Sequence, residues 1–363
     1  MKILVIHATA GAGHKKAAEA IYHGIKAKTP FDVRFVDALD YSNPVFKYTY
    51  PNFYTCMVSH LPWLWAFVFG LMDAPSLQGI VRFFRRVYNA LNARRLHIFL
   101  KEEQFDYIIC TQFLSAEVSG YLKRTGQIRS RIICVVTDFD VHRIWINQGV
   151  DYYTGACDYT REKLIALGVP KERAFVTGIP TDPKFLKEHD ARALRRQWGL
   201  KEDALTVMIA TGSFGFGPIE ELVDLLKEHQ LIVVCGHNKG LYERLSQRRL
   251  GHTRVCGLAG NMDELMSASD IMVTKPGGLS IAESLVKGLV LVFFSAIPGQ
   301  EMNNVKVLTR FKVGLGQLTL NEIAQAVSRL QASHQELAGQ KAHSKAFGKP
   351  WAVDDIIRII KNK

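Results

Sequence analysis

Residues Thr274–Asn304, TKPGGLSIAESLVKGLVLVFFSAIPGQEMNN, decide the fold of this chain. An apolar strand ends at Thr274, a helix with one apolar face follows, and Gly288 is placed to end that helix. The next segment, Leu289–Phe294, is apolar throughout, which is typical of a parallel strand covered on both faces. The stretch therefore predicts a strand–helix–strand unit of a parallel α/β sheet.

Two short motifs follow the strands of this unit. In Lys275-Pro276-Gly277-Gly278 the glycines let backbone N–H groups approach an anion closely, and the lysine adds positive charge. Pro298-Gly299-Gln300-Glu301 brings an amide and a carboxylate to the carboxyl end of the second strand, where open parallel sheets bind ligands. The sequence therefore predicts a site for a charged, sugar-like ligand.

Length and composition indicate a folded protein of two domains. The chain has 363 residues, of which 48% are hydrophobic, enough for two cores. Its formal net charge of +12 favours anionic partners such as nucleic acid, anionic lipid or sugar nucleotides. Six scattered cysteines without a CxxC pair predict reduced thiols rather than a metal site or disulfides. Without a signal-peptide pattern or an apolar run of ~20 residues, we expect a cytoplasmic protein with no membrane-spanning helix.

The amino-terminal residues predict a second unit of the same kind. Lys2–Ala8 is a buried strand, Thr9–His14 a glycine-containing loop, Lys15 to about Lys28 a helix, and Asp32–Asp37 a strand. A glycine loop followed by an acid on the second strand also occurs in dinucleotide-binding folds. That fingerprint requires a small residue at the position of Lys16, so the sequence disfavours nicotinamide or flavin binding.

Residues 41–100 interrupt this alternation with an aromatic-rich and arginine-rich segment. One predicted helix face is apolar, and the arginines beside it are expected to be uncompensated, because no acidic residue lies between Asp73 and Glu102. The apolar residues are Ile80, Phe84, Val87, Leu91 and Ile98, and the arginines are Arg82, Arg85, Arg86, Arg94 and Arg95. This composition suits a segment that lies on an anionic membrane surface. The alternative is a helix packed into the domain with a solvated basic face.

Further strands and loops continue the α/β pattern. Strands are predicted at Phe105–Thr111 and Arg131–Thr137, and the second ends in Thr137-Asp138-Phe139-Asp140-Val141-His142. Asp138 and His142 therefore lie at a carboxyl end, although Asp138 is alternatively a turn-capping residue. The polar stretch Lys184–Asp203 is predicted to be a linker.

The second domain is predicted to begin with the strand Thr206–Ala210. A glycine-rich loop follows, and its backbone N–H groups are suited to phosphate oxygens; the loop residues concerned are Ser213, Phe214 and Gly215. A later strand ends at Gly257 and delivers Leu258 and Ala259 to the same edge of the sheet. Trp351–Lys361 is predicted to be a terminal helix.

The run NMDELMSASDIMVTKPGGLSIAESLVKGL…PGQEMNN, from Asn261 to Asn304, strongly resembles the C-terminal half of the diacylglycerol glycosyltransferases. These are the bacterial diacylglycerol glucosyltransferases and the plant monogalactosyldiacylglycerol synthases, relatives of the lipid-linked N-acetylglucosaminyltransferase of peptidoglycan synthesis. In the N-terminal half the resemblance rests on the loop ending at His14, the TDF..H run from Thr137, and Gly178-Ile179-Pro180.

The resemblance implies an α/β fold with two Rossmann-like, doubly wound domains facing a cleft, the GT-B type. We expect residues 1–183 to form an acceptor- and membrane-facing domain and residues 184–350 a nucleotide-sugar-binding domain. Residues 351–363 are expected to form a terminal helix that packs back on the first domain.

The resemblance also implies roles for particular residues. His14 is the expected catalytic base, with a solvent-exposed position in the first helical turn as the alternative, and Asp138 is expected to orient or assist the acceptor hydroxyl. The expected ligand-binding residues are Leu258 and Ala259 for the nucleobase, Glu283 for the ribose, Gln300 and Glu301 for the hexose, and Gly13, Ser213, Phe214, Gly215, Lys275, Gly277 and Gly278 for the diphosphate and its surroundings.

The implied function is transfer of a hexose, with inversion of configuration, from a UDP-sugar to a lipid acceptor at the inner face of the cell membrane. Diacylglycerol is the leading candidate for that acceptor. The UDP-sugar is a donor substrate and no cofactor is expected. No catalytic metal is expected either, because helix dipoles can substitute for the cation.

Two other functions stay open: an enzyme resembling UDP-N-acetylglucosamine epimerase, and a non-catalytic nucleotide-sugar-binding protein. Nucleic-acid binding is disfavoured because no RNA- or DNA-binding module is present. Val290 and Asn304 replace the proline and alanine usual in the family, which leaves the donor hexose open. The acceptor lipid and the oligomeric state are open as well.

Overall fold

The computed structural model describes residues 1–9, 11–248 and 250–363, and the chain divides into two compact units. Unit 1 comprises Met1–Asp182, Ile297–Asn303 and Lys349–Lys363, and unit 2 comprises Pro183–Ala296 and Asn304–Gly348. Each unit contains one six-stranded parallel sheet, so the predicted α/β class with two Rossmann-like domains is confirmed. Ala10 of the glycine loop and the side chains of Tyr54, Arg86 and Leu91 in the insertion lie outside the described part.

The sheet of unit 1 has the strand order β2-β1-β3-β4-β5-β6. Its strands are β1 Lys2–His7, β2 Asp32–Asp37, β3 Tyr107–Cys110, β4 Arg131–Val135, β5 Tyr152–Gly155 and β6 Ala174–Val176. β1 pairs with β2 on one side and with β3 on the other. The order in which successive strands are added to the sheet therefore reverses at β1. In doubly wound sheets this switch point is where ligands bind.

Alternate residues of β1 enter two separate cores. Ile3 and Val5 pack with Ile21 and Ile25 of the first helix, while Leu4 and Ile6 pack with residues of the opposite layer. All four strand residues are fully buried, as expected when helices cover both faces of a parallel sheet. The first seven α-helices of the chain lie in this unit: α1 Ala12–Lys28, α2 Pro44–His60, α3 Pro62–Asp73, α4 Gln78–Asn92, α5 Arg94–Glu103, α6 Phe113–Arg124 and α7 Asp158–Ala166.

The sheet of unit 2 has the strand order β12-β11-β10-β7-β8-β9, with its switch point between β7 and β10. Its strands are β7 Thr206–Ala210, β8 Gln230–Val234, β9 Thr253–Cys256, β10 Ile271–Thr274, β11 Val290–Phe293 and β12 Leu315–Gln317. The later helices of the chain are α8 Ala191–Gln197, α9 Ile219–Leu225, α10 Lys239–Ser246, α11 Met262–Ser267, α12 Gly278–Lys287, α13 Gln300–Arg310, α14 Leu320–Ala332, α15 His334–Phe347 and α16 Ala352–Asn362.

The terminal helix α16 packs against α1 within unit 1. The two backbones come close at Gly24, where an added Cβ would lie 2.2 Å from Cγ1 of Val353. Burying the isoleucines of α16 contributes on the order of 1.5–3 kcal/mol for each fully buried side chain. Ile356 is fully buried, and Ile357, Ile359 and Ile360 are at most 8% exposed.

The predicted linker Lys184–Asp203 is instead part of unit 2. It contains α8, and the guanidinium of Arg195 is buried against the carboxylate of Asp270, with a distance of 2.7 Å from Nη2 to Oδ2. The polar composition misled the prediction because a buried, paired arginine is indistinguishable by sequence from a solvated one.

The insertion also differs from its prediction. The single helix face predicted from Ile80 to Ile98 is divided between α4 and α5, which are separated at Ala93. Arg85 is not uncompensated, because it forms an ion pair with Glu117 of α6. Ile80, Phe84 and Val87 are 57%, 65% and 43% exposed, so the apolar face of α4 is not buried in the unit.

Among the described residues no single helix has the length and apolar character needed to cross a bilayer. The segments Pro62–Asp73 and Pro75–Asn89 satisfy both criteria only together, and they are bent by 73° relative to each other.

Candidate active site

His14 lies at the switch point of unit 1, in the first turn of α1. Its Nδ1 is 2.8 Å from the carbonyl oxygen of Thr111, which directly follows β3, and 2.9 Å from Oγ1 of Thr137, which follows β4. The hydroxyl of Thr111 in turn donates to the carbonyl oxygen of His14 at 2.9 Å. The imidazole is therefore held between the carboxyl ends of two strands, and Trp145 lies beside it with ring centroids 5.9 Å apart.

These contacts fix the tautomer of His14. A carbonyl oxygen only accepts, so Nδ1 must carry the proton and donate it to Thr111. Nε2 is left with its lone pair, and no residue among 1–9, 11–248 and 250–363 forms a hydrogen bond with it. Desolvation lowers the pKa of His14 to about 4, against the opposing effect of the Thr111 hydrogen bond. The neutral imidazole can therefore act as a general base at neutral pH.

Asp37, the acid expected to bind ribose in a dinucleotide fold, is engaged in this unit. Its carboxylate accepts from the backbone N–H of Leu39 at 2.9 Å and from the hydroxyl of Thr9. Asp37 thereby anchors the glycine loop that leads to His14.

Asp138 and Gln300 are brought together in unit 1. The Nε2 amide of Gln300 donates to Oδ2 of Asp138 at 2.8 Å, and Asp138 is only 5% exposed. Glu301 accepts from the backbone N–H of Ile297 at 2.8 Å and so stabilises the turn that precedes α13. The structure thus links the residue expected at the acceptor hydroxyl to one expected at the hexose.

His142, which follows the same strand as Asp138, forms contacts that link two loops of unit 1. Its Nδ1 accepts from the N–H of Ile144 at 3.0 Å, so Nε2 carries the proton and donates to the carbonyl oxygen of Phe69 at 2.9 Å. The two rings are 4.0 Å apart. The ring of Phe69 also packs on Gly299, where an added Cβ would lie 2.8 Å from Cδ1. Phe69 of α3 therefore contacts both the loop after Asp138 and the loop before Gln300.

In unit 2 the loop after β7 is built around glycines in the left-handed region. Gly215 has φ +61° and an added Cβ would lie 2.0 Å from the carbonyl oxygen of Cys235, so only glycine fits. The N–H of Gly215 donates within the turn to Gly212 at 3.3 Å. This leaves the N–H groups of Ser213 and Phe214 as the stronger candidates to bind an anion.

The second loop at this switch point, Lys275–Gly278, follows β10. Gly277 precedes α12 and has no side-chain cap, so N–H groups of the first turn of α12 lack intrahelical partners. The N–H of Gly277 itself donates to the carbonyl oxygen of Lys275 at 2.8 Å. Lys275 forms no ion pair with a described residue. This loop therefore offers Gly278, the following N–H groups and one ammonium to an anion.

The remaining residues expected to bind the donor UDP-sugar also lie in unit 2. Leu258 and Ala259 follow β9, with Leu258 64% exposed, and Glu283 is a half-buried residue of α12. Asn304 is 1% exposed and donates from Nδ2 to the carbonyl oxygen of Pro276 at 3.1 Å. The residue that departs from the family pattern thus supports the Lys275–Gly278 loop.

Sequence reasoning missed three supporting residues of the site: Thr111, Thr137 and Phe69. Each threonine ends one of the two predicted strands Phe105–Thr111 and Arg131–Thr137, and that shared position was a usable signal. Nothing in the sequence near Phe69 distinguishes it from the other aromatic residues of the insertion. Within the part of the chain that the structure describes, no group of three or more His, Cys, Asp or Glu side chains could hold a metal ion.

Comparison with known proteins identifies the class. A family model described as monogalactosyldiacylglycerol (MGDG) synthase matches residues 14–181, and one described as the glycosyltransferase family 28 C-terminal domain matches residues 206–356. Two Rossmann-like units with glycine loops at their switch points, together with these matches, define a glycosyltransferase. The two matched regions confirm the resemblance to the diacylglycerol glycosyltransferases and MGDG synthases that the sequence predicted.

Individual relatives agree with this assignment. A processive diacylglycerol beta-glucosyltransferase of Bacillus pumilus (strain SAFR-032) is 27% identical over 358 residues, covering 95% of this chain and 91% of that protein. Among solved structures, Anabaena Alr3699/HepE in complex with UDP has a TM-score of 0.60 at 15% identity, with complete coverage of both chains. The UDP-GlcNAc 2-epimerase of Neisseria meningitidis bound to UDP-GlcNAc has a TM-score of 0.64 at 13% identity, also with complete coverage. The two structures support the fold alone.

Proposed function

We propose that this enzyme transfers a hexose from a UDP-sugar to diacylglycerol with inversion at the anomeric carbon. The observation that carries the proposal is the 2.8 Å contact between Nδ1 of His14 and the Thr111 carbonyl oxygen, because it reserves Nε2 for accepting a proton. The Bacillus pumilus relative is named for glucosyl transfer to diacylglycerol, and the Anabaena structure contains UDP. The first name supports diacylglycerol as the acceptor, and the second shows that a protein of this fold binds UDP.

In the proposed reaction His14 Nε2 removes the proton of the acceptor hydroxyl as that oxygen attacks the anomeric carbon. The bond from the anomeric carbon to the diphosphate oxygen breaks, and UDP leaves with its electron pair. Asp138 orients the acceptor hydroxyl, and Gln300 holds the Asp138 carboxylate in place. One displacement inverts the configuration, so an α-linked UDP-sugar gives a β-glycoside.

Departure of UDP requires stabilisation of the developing negative charge on the diphosphate. We assign this to the N–H groups of Ser213 and Phe214, to Gly278 at the start of α12, and to Lys275. Gly13, Gly215 and Gly277 keep the backbone close enough for such contacts. Because helix termini and an ammonium supply positive charge, we propose that the reaction needs no metal ion.

The other contacts with the donor UDP-sugar are assigned in order from the uracil to the ribose and the hexose. Backbone groups of Leu258 and Ala259 receive the uracil, and the carboxylate of Glu283 accepts hydrogen bonds from the ribose hydroxyls. Gln300 and Glu301 contact the hexose. In this assignment residues 1–183 bind the acceptor and residues 184–350 bind the donor.

The proposed location is the cytoplasmic face of the membrane, to which the enzyme binds peripherally. The supporting feature is a group of exposed apolar side chains on α3 and α4, defined here as the apolar surface: Trp63, Phe67, Ile80, Phe83 and Phe84, all between 57% and 68% exposed. Exposed apolar groups of this kind beside arginines favour the interface of an anionic bilayer.

The test is transfer from UDP-glucose, UDP-galactose and UDP-N-acetylglucosamine to diacylglycerol in vesicles, with and without EDTA. We expect one UDP-sugar to yield a glycolipid whose anomeric proton coupling in NMR is that of a β-glycoside, at a rate unchanged by EDTA. An α-glycoside would overturn the single displacement, and loss of activity in EDTA that Mg²⁺ restores would overturn metal independence.

The second candidate is epimerisation of UDP-N-acetylglucosamine, because an enzyme named for that reaction shares this fold. An epimerase needs no lipid. Incubation with UDP-N-acetylglucosamine alone, followed by NMR of the nucleotide sugar, would show a second epimer if this function were correct.

A further inference from the structure

Thr211 lies at the switch point of unit 2, directly after β7, and is not among the residues assigned above to the diphosphate. It is only 7% exposed, and its hydroxyl oxygen Oγ1 is buried without a hydrogen-bond partner in the part of the chain that the structure describes. Buried polar groups in native proteins are nearly always paired, and an unpaired one is destabilising. This hydroxyl therefore requires a partner that the described chain does not supply.

The position of Thr211 indicates what that partner is. Thr154 also has a buried hydroxyl without a partner, but it lies within strand β5 of unit 1. Thr211 instead begins the glycine-rich loop at a carboxyl end of the unit 2 sheet, where open parallel sheets bind their ligands. A hydroxyl at this place is suited to donate to a ligand oxygen.

The side chains of Thr211 and Lys275 meet beside Gly217. Their loops follow β7 and β10, which are paired neighbours in the sheet. Gly217 has φ +132°, and an added Cβ there would lie 3.7 Å from Cε of Lys275 and 3.8 Å from Cγ2 of Thr211. Cε carries the ammonium group, which forms no ion pair with a described residue. Thr211 is therefore beside a positive charge that is available to an anion.

A change of rotamer brings the hydroxyl of Thr211 to this point. Its methyl carbon Cγ2 is the branch that faces Gly217, whereas Oγ1 is buried. Rotation about χ1 from one staggered position to the next places Oγ1 where Cγ2 was. An anion held by Lys275 would favour that rotamer, because it supplies the acceptor that the hydroxyl otherwise lacks.

The strand order indicates which part of the donor reaches Thr211. Neighbouring strands are about 4.8 Å apart, so β7 lies two strands, about 10 Å, from β9. The uracil is assigned above to the loop after β9. In a UDP-sugar the β-phosphate is the phosphate remote from the uridine, and it carries the hexose. The β-phosphate is therefore the group of the donor to which Thr211 is best matched.

We propose that the hydroxyl of Thr211 donates a hydrogen bond to the β-phosphate of the donor, beside the ammonium of Lys275. This inference rests on the proposed function, because it takes a UDP-sugar as the donor. During transfer the bond from the anomeric carbon to the β-phosphate oxygen breaks, and its electron pair stays on that oxygen. The hydroxyl stabilises the charge that develops there. Thr211 is thus a substrate-binding residue that favours nucleoside diphosphates over monophosphates.

The test is calorimetric titration of the full chain with UDP and with UMP, which lacks the β-phosphate. Thr211→Val should weaken the Kd for UDP about 10- to 100-fold, because a hydrogen bond to a charged group is lost. It should change the Kd for UMP by less than about twofold, since the proposed contact is absent there. Thr211→Ser keeps a hydroxyl donor and should bind UDP within about threefold of wild type.

Thr154→Val is the matched control, because it also removes a buried hydroxyl without a partner. It should leave the Kd for UDP unchanged. Thr211→Val should also unfold in urea at a midpoint no lower than that of wild type, since it removes an unpaired buried group. Weaker UDP binding together with undiminished stability would separate loss of a ligand contact from damage to the fold.

Three results would overturn the proposal: no binding of UDP by wild type, equal Kd values for UDP with wild type and Thr211→Val, or equal losses for UDP and UMP. The third would assign Thr211 to the α-phosphate. If Thr211→Val does not fold, Thr211→Ala decides by the same comparison of UDP with UMP. Failure of the proposed function is distinguishable: wild type would bind UDP through Thr211 and yet form no glycolipid in the vesicle assay.

Discussion

Gln300 donates a hydrogen bond of 2.8 Å to the carboxylate of Asp138, 162 residues earlier in the chain. The segment Ile297–Asn303 belongs to unit 1 together with Asp138, although it was predicted as part of the donor-binding domain. A residue expected at the hexose and a residue expected at the acceptor hydroxyl therefore form one hydrogen-bonded pair.

This pair predicts coupled effects on catalysis. Gln300→Ala should lower kcat/KM about 10- to 100-fold, because a hydrogen bond to a charged group contributes about 1.5–3 kcal/mol. In a double-mutant cycle with Asp138→Asn, measured by initial rates, the two losses should not add, because the residues act as a unit. Gln317→Ala, at an exposed glutamine of β12, is the control and should retain wild-type rates. Strictly additive losses would show that Gln300 and Asp138 act separately.

The environment of His14 predicts the acid limb of the pH profile. Because desolvation lowers its pKa to about 4, Nε2 stays unprotonated from neutral pH down to about pH 5. Activity should fall only as the pH approaches 4, where protonation removes the base. The measurement is kcat/KM against pH, which reports the base of the free enzyme. An acid limb centred at pH 6.5, the usual histidine pKa, would contradict this account.

Phe69 and Phe67, two residues apart on α3, predict separable effects. Phe69 contacts His142 and Gly299, so Phe69→Ala should lower kcat even with acceptor presented in detergent micelles. Phe67 is 64% exposed, so Phe67→Ala should weaken co-sedimentation with anionic vesicles and leave kcat in micelles near wild type. Equal kcat values for the two variants in micelles would remove the positioning role of Phe69.

Gly215 predicts a stability effect in unit 2. Alanine there must adopt φ +61° and place its Cβ 2.0 Å from the Cys235 carbonyl oxygen. The left-handed conformation alone costs about 1–2 kcal/mol, and the overlap adds to it, so Gly215→Ala should lower the unfolding midpoint in urea. Gly339→Ala is the control, because that helical position has open space for a Cβ and alanine favours a helix by about 1 kcal/mol. A midpoint for Gly215→Ala at or above that of wild type would be inconsistent with the loop geometry.

The order of strands and helices was predictable from the sequence because apolar runs of parallel strands alternate with amphipathic helices. β2 and β7 were located at their observed bounds, and most other predicted strands differ by one or two residues at an end. The helix α15 was missed, since its apolar residues are sparse. The break at Ala93 was missed as well, because two consecutive helices with exposed apolar faces produce nearly the periodicity of one.

The candidate site was predictable only where a motif carries it. Glycine loops and His14 stand directly after apolar strands, which is a local signal. The contacts of His14 with Thr111 and Thr137, and of Asp138 with Gln300, join positions 97 to 162 residues apart. Such contacts depend on strand order, which local sequence does not specify.

The most direct test of the central claim compares wild type, His14→Ala and His14→Gln in transfer of radiolabelled hexose from UDP-sugar to diacylglycerol vesicles. The account predicts a labelled glycolipid with wild type and a loss of at least about 100-fold in kcat with both variants, since general base catalysis contributes about 10²–10⁴-fold. All three proteins should bind UDP with similar affinity. A labelled glycolipid formed by His14→Ala at the wild-type rate would contradict the assignment of His14 as the catalytic base.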